Sequence, residues 1–112
     1  MRDKLITIRY YTALGFSSIG ALEWPHYLML KKGHLEVHFF RHDTLDVHTN
    51  DGQLYFRVKE IEAFYQKIQT IGIKVHPNGA LQTHPWGQKE FSLLDPDHNL
   101  LTFGESMADP SG

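Results

Sequence analysis

The 112-residue chain has no cysteine. Disulfides, thiolate metal sites and cysteine nucleophiles are therefore excluded, and a cytoplasmic location is expected. There is no basic block and the net charge is −2, so the electrostatic footprint of a nucleic-acid-binding protein is missing. No apolar run approaches the roughly 20 residues that cross a bilayer, and Met1-Arg2-Asp3-Lys4 is not followed by the apolar stretch of a signal peptide. No partnership with nucleic acid or membrane is expected. A Gly-rich phosphate loop and a Gly-x-Ser-x-Gly elbow are also lacking. What remains is ordinary for one globular domain: 41% hydrophobic residues and 21% charged.

The most informative stretch runs from Trp86 to Phe103. Two apolar-rich segments, Gln88–Leu94 and Asn99–Glu105, flank Asp95-Pro96-Asp97-His98-Asn99. Proline presets φ for a turn, and Asp and Asn side chains bond the local backbone, so the segment predicts a β-hairpin with a stiff corner. Asp95 and Asp97 are read as turn residues rather than as an acid pair. Glu90 and Glu105 remain available as site carboxylates, with nothing to mark either as a general base.

A repeat underlies the chain. Ile8 to Phe16 and Ile61 to Ile73 each carry apolar residues at spacings of three and four and end near a glycine, Gly15 or Gly72. Both predict amphipathic helices that leave through a C′ glycine. In the second, Ile61, Phe64, Tyr65, Ile68 and Ile71 form one stripe. Strands are predicted at Phe16–Glu23, His26–Leu30 and His34–Arg41, divided by Trp24-Pro25 and Lys31-Lys32-Gly33, and in the second half at Gln53–Val58, near Ile73–His76, and in the final hairpin. The second half reads β-α-β-β-β. The first reads α-β-β-β, its opening strand absent or reduced to a stub. Order and spacing agree too well for chance.

The hairpin and the repeat together resemble the vicinal-oxygen-chelate superfamily of glyoxalases, extradiol dioxygenases and antibiotic-resistance proteins. The segments Tyr11–Phe16, Lys32–Leu35, Phe39–His42 and Phe64-Tyr65, with the hairpin, most resemble its bleomycin-resistance branch. The resemblance implies an α+β fold of two β-α-β-β-β modules forming curved mixed sheets with helices outside. One domain over 1–112 is expected, with module 1 at about 1–48, module 2 at about 51–106 and a flexible tail at 107–112.

Metal-using members of that superfamily take ligands from four strands. By resemblance the first position falls on the missing strand, the second on His38, the third on Gln53 and the fourth on Thr102. A catalytic divalent site needs about three good ligands, and only His38 is one, so neither metal nor other cofactor is expected and no catalytic residue is assigned. His34, His38 and His42 share a strand face with Glu36 and Phe40, but residues four apart on a strand stand about 13 Å apart, too far to share an ion. Leu35, Val37 and Phe39 point to the other, core face.

The alternation in Gln53–Val58 turns Gln53, Tyr55 and Arg57 away from the core. Tyr27 and Trp86 match positions where bleomycin-binding relatives carry groove aromatics. The ligand-binding set expected is Tyr27, His38, Phe40, Gln53, Tyr55, Trp86 and Thr102. Aromatics with polar tips, near carboxylates, suit a planar or cationic ligand. The implied function is non-catalytic binding of a small organic molecule, sequestration of a bleomycin-type antibiotic in a groove of a homodimer. The alternative is a metal-dependent lyase, thiol transferase or dioxygenase.

Overall fold

A computed structural model describes residues 1–20 and 25–107. They fall into two compact units, Met1–Asn50 with Asp95–His98, and Asp51–Leu94 with the chain from Asn99 on. Among the described residues no helix is long and apolar enough to cross a membrane.

Unit 1 contains α1 (Lys4–Ala13), β1 (Ser17–Ile19), β2 (Tyr27–Lys32) and β3 (Leu35–Phe40), an antiparallel sheet in the order β1-β2-β3. Helix α1 starts four residues earlier than its apolar spacing predicts. The reason is Asp3, whose carboxylate accepts the N–H of Ile6 at 3.1 Å and caps the first turn. The predicted Lys31-Lys32-Gly33 break is also displaced. Lys31 and Lys32 continue β2, and the turn is Gly33-His34, closed by the Lys32↔Leu35 pair. The expected first strand ends at Ile19, and Ala21 to Glu23 lie outside the described residues, as does Trp24. Met1, where at most a strand stub is expected, lies outside the strands of unit 1 but is hydrogen-bonded to them. Its amino group donates to Phe40 O at 2.6 Å, and His42 N–H donates to Met1 O at 2.7 Å, one parallel rung beside the end of β3.

Unit 2 contains β4 (Gln53–Arg57), α2 (Ile61–Thr70), β5 (Gln82–Thr83), β6 (Gln88–Leu94) and β7 (Leu100–Ser106). The sheet order is β4-β7-β6-β5, with β4 parallel to β7 and the other pairs antiparallel. The strand predicted near Ile73–His76 is reduced to a single bridge, Val75↔Leu93. Its place in the β-α-β-β-β order is taken by the two-residue β5, because Pro77, Asn78 and Gly79 turn the chain away after one rung. The expected tail, 107–112, lies outside the described residues except Met107, whose N–H donates to Gly87 O.

Both helices end alike. Gly15 (φ +100°) and Gly72 (φ +85°) sit at C′ in a left-handed conformation that side chains disfavour. Phe16 N–H donates to Tyr11 O and Ile73 N–H to Ile68 O, satisfying carbonyls the helix leaves open. Each helix covers one face of its own sheet. In unit 1 the layer between helix and sheet holds Tyr11, Leu14, Phe16, Leu28, Leu30 and Phe39, all buried. In unit 2 it holds Phe56, Phe91 and Phe103, stacked 5.1–5.2 Å apart, with Ile61 and Ile68 above them. Burying one such side chain contributes roughly 1.5–3 kcal/mol. Ile71, placed on the stripe by its spacing, is exposed, because the helix has already ended and it serves as the C-cap.

The hairpin corner Asp95–His98 is a turn, as its residues predict. Asp97 N–H donates to Asp95 Oδ1 at 2.9 Å and His98 N–H to Asp95 O at 2.9 Å. Its carboxylates also anchor unit 1. Tyr11 Oη donates to Asp95 Oδ2 at 2.6 Å, and Arg2 Nε and backbone N–H donate to Asp97 Oδ1 at 2.8 and 3.0 Å. Burial, then the Asp95 charge, pushes the Tyr11 phenol far above its usual range, so it stays a donor.

One strand glycine shapes the uncovered face of unit 2. A Cβ on Gly104 would overlap Tyr55 Oη and stand 2.6 Å from Tyr55 Cζ, so the tyrosine ring crosses β7 only because the glycine has no side chain. Gly104→Ala is expected to displace that ring and cost about 1–3 kcal/mol in urea unfolding. In a Tyr55→Ala background the same change should cost clearly less, a coupling readable from the double-mutant cycle. Equal costs in both backgrounds would show that the ring does not depend on the glycine.

Candidate functional site

Among the described residues, strand alternation gives each sheet a second face that the helix of its own unit does not cover. In unit 1 it presents Tyr27, Met29 and Lys31 from β2 opposite Phe40, His38 and Glu36 from β3. Tyr27 Oη lies 2.5 Å from His38 Nδ1, and His38 Nε2 is 3.4 Å from Glu36 Oε2. The rings of Tyr27 and Phe40 meet edge to face at 5.0 Å, with Phe40 68% exposed. Tyr27, His38 and Phe40 thus form one cluster. His34 lies in the turn before β3 and His42 beyond its end, so the three histidines are spread along the strand axis.

In unit 2 the uncovered face carries Gln53, Tyr55 and Arg57 on β4, Thr102 and Gly104 on β7, and Glu90 and Ser92 on β6. Tyr55 Oη crosses Gly104 to donate to Glu90 Oε2 at 2.6 Å. Glu90 Oε1 is 3.5 Å from His84 Nε2, and the His84 ring lies flat on the Trp86 indole, centroids 4.2 Å apart and planes 8° apart. Trp86 is 63% exposed. Thr102 Oγ1 shares a hydrogen bond with Ser92 Oγ at 3.1 Å, and Gln53 is exposed at the β4 edge. Partial burial, then the bond to Glu90 and its charge, pushes the Tyr55 phenol up to about 12, with Arg57 acting in the opposite sense. With the phenol raised in the folded state, the resulting contribution to stability is complete below about pH 10, where an unfolded tyrosine titrates, and is lost as pH rises through about 12.

Glu105, expected as a site carboxylate, has a different task. It accepts the N–H groups of Glu60 (2.8 Å) and Ile61 (3.3 Å), capping α2, because Glu60 is in a left-handed conformation and supplies no cap itself. The metal positions implied by resemblance do not form a donor set. His38 already meets Tyr27 and Glu36, Thr102 meets Ser92, and Gln53 offers only an amide. Among the described residues no three His, Asp or Glu side chains stand together as a metal would require. These residues do not fit a catalytic divalent ion.

Reading the sequence alone passes over His84, and it leaves Glu90 without partners. One signal was available, the isolated Gly104 inside a strand, which marks a close approach by another group. The flat His84–Trp86 stack depends on the short turn before β6, where Gly87 N–H donates to His84 O at 3.0 Å and His84 N–H to Gln88 O at 2.8 Å.

Comparison with known proteins agrees with this architecture. A glyoxalase-like domain model matches residues 25–108. A bleomycin resistance protein of Klebsiella pneumoniae is 29% identical over 105 residues, covering 89% of this chain and 82% of that protein. One from Geobacillus stearothermophilus is 41% identical over 50 residues, which is 45% of this chain but only 37% of that relative. Among solved structures, the bleomycin resistance determinant encoded on the transposon Tn5 superposes with a TM-score of 0.84 at 27% identity, covering 95% of this chain and 91% of that one. A bleomycin-binding protein complexed with bleomycin gives 0.82 at 27% identity, covering 95% and 92%. With the β-α-β-β-β order of unit 2, these matches show that the chain belongs to the glyoxalase-like domain family of the vicinal-oxygen-chelate superfamily, with bleomycin resistance proteins among its homologues.

Proposed function

We propose that this protein binds a bleomycin-type antibiotic without converting it, and so keeps the drug from its target in the cytoplasm. The observation that carries the reading is the exposed Trp86, stacked on His84, which itself stands 3.5 Å from Glu90, on a fold that superposes on a bleomycin-binding protein complexed with bleomycin. An exposed indole offers a stacking face for planar groups, and the carboxylate of Glu90 on the same unit suits a positively charged ligand. The ligand-binding residues in this proposal are Tyr27, His38 and Phe40 from the open face of unit 1, and Gln53, Tyr55, Trp86 and Thr102 from unit 2. The proposal keeps the expectation of a single domain over 1–112. The donor chemistry at His38, Gln53 and Thr102 favours binding over metal-dependent turnover.

Calorimetric titration with metal-free and copper-loaded bleomycin tests this. Saturable binding is expected, weakened by roughly 1–3 kcal/mol in Trp86→Ala while the unfolding transition is kept. No heat with either form at concentrations of about 100 μM would remove the antibiotic from the proposal.

The proposal includes a homodimer. The supporting features are that, among the described residues, β3 is an edge strand of its sheet, and that the open sheet face exposes Phe40. Sedimentation equilibrium should find a dimer at micromolar concentration, and a folded monomer there would contradict it.

A further inference from the structure

Glu90 is held by two donors of different kinds. Its side chain is 14% exposed. Tyr55, on β4, donates to Oε2 as a phenol kept neutral throughout the physiological range. His84, in the turn before β6, faces Oε1 with a ring nitrogen whose charge depends on pH. The other charged groups nearby do not compete for this carboxylate. Arg57 acts on Tyr55 from β4, Lys89 pairs with Glu62 of α2, and Glu105 is committed to the α2 backbone. Among the described residues, the ion-pair partner recorded for Glu90 is His84, and that pair is charged on both sides when the imidazole is protonated.

His84 also governs the indole. Its ring lies parallel on Trp86 at 4.2 Å and covers one face, while Trp86 remains 63% exposed. A neutral imidazole brings no positive charge to Glu90 and leaves the second face of the indole accessible, which suits a planar cation. A protonated imidazole pairs with that carboxylate and is itself a cation on the indole. Both effects oppose a second positive charge.

We propose that Glu90 is the carboxylate that recognises positive charge on the ligand, and that His84 is a positioning residue which, when protonated, competes with the ligand for it. The site then discriminates by charge as well as by shape, binding cationic aromatic molecules in competition with a proton. This rests on the small-molecule reading above, but it does not require the molecule to be bleomycin.

Calorimetric titrations with N-methylquinolinium, a cation at every pH, and with 2-naphthol, a neutral ring over the same range, separate charge from stacking. Between about pH 8 and about pH 5.5, where imidazoles gain their proton, wild-type affinity for the cation should fall about fivefold, the scale of a partly exposed ion pair. Affinity for 2-naphthol should not follow that fall. His84→Phe keeps a ring for the stack but cannot titrate, so the pH dependence should disappear. His84→Gln should do the same if the larger ring is not tolerated. Glu90→Gln should bind the cation weakly at both pH values. The inference is overturned if wild type binds the cation equally at both pH values or not at all, or if the fall survives in both His84 variants, which would trace it to another group such as His38. Failure of bleomycin to bind, with the N-methylquinolinium pattern intact, would overturn only the antibiotic reading.

Discussion

Among the described residues each sheet has one helix, and a helix can cover only one face. That constraint organises much of the rest. A strand exposes alternate residues to opposite sides, so the sequence must write an apolar face and a face that tolerates water into the same segment. β3 does so in six residues, with Val37 and Phe39 buried and Glu36, His38 and Phe40 exposed. β4 does so in five, with Phe56 buried and Gln53, Tyr55 and Arg57 exposed. The open faces carry polar and aromatic residues together, a composition suited to meeting a ligand.

The two halves solve the same local problems with different chemistry. Both helices stop at a left-handed glycine followed by a bond back to the last turn. Their starts differ. α1 is capped by its own Asp3, whereas α2 borrows the carboxylate of Glu105 from β7. Borrowing removes Glu105 from the candidate chemistry and leaves Glu90 as the carboxylate on the open face of β6. The acid pair Asp95 and Asp97 is spent in the same way, on the hairpin corner and on Tyr11 and Arg2. Sorting carboxylates by their partners thus narrows the site further than counting them does.

Much of the fold is legible in the sequence because it rests on short-range rules. The final hairpin follows from Asp-Pro-Asp and alternating apolar residues, and its strands lie within a residue of expectation. Both helix ends follow from Gly15 and Gly72. The start of α1 was misplaced because a side-chain cap at Asp3, rather than apolar periodicity, sets it. The Ile73–His76 strand failed because one favourable pairing does not outlast a Pro-Asn-Gly turn. The candidate site is legible only in part. Alternation alone turns Tyr55 outward and, along β3, His38 and Phe40. The partnership of Tyr55 with Glu90, and of His84 with Trp86, joins residues from β4, β6 and a turn, and no local pattern encodes it.

The central claim is that the uncovered sheet faces, rather than a metal centre or a helix surface, receive the ligand. Heteronuclear NMR of the labelled protein during titration with metal-free bleomycin tests it most directly. The account predicts shift changes concentrated at the Trp86 indole and at Tyr55, Glu90, Tyr27 and Phe40, with Ile68, Leu93 and Phe103 on the covered faces little affected. Changes centred on the outer surfaces of α1 and α2, with the Trp86 indole unmoved, would contradict it.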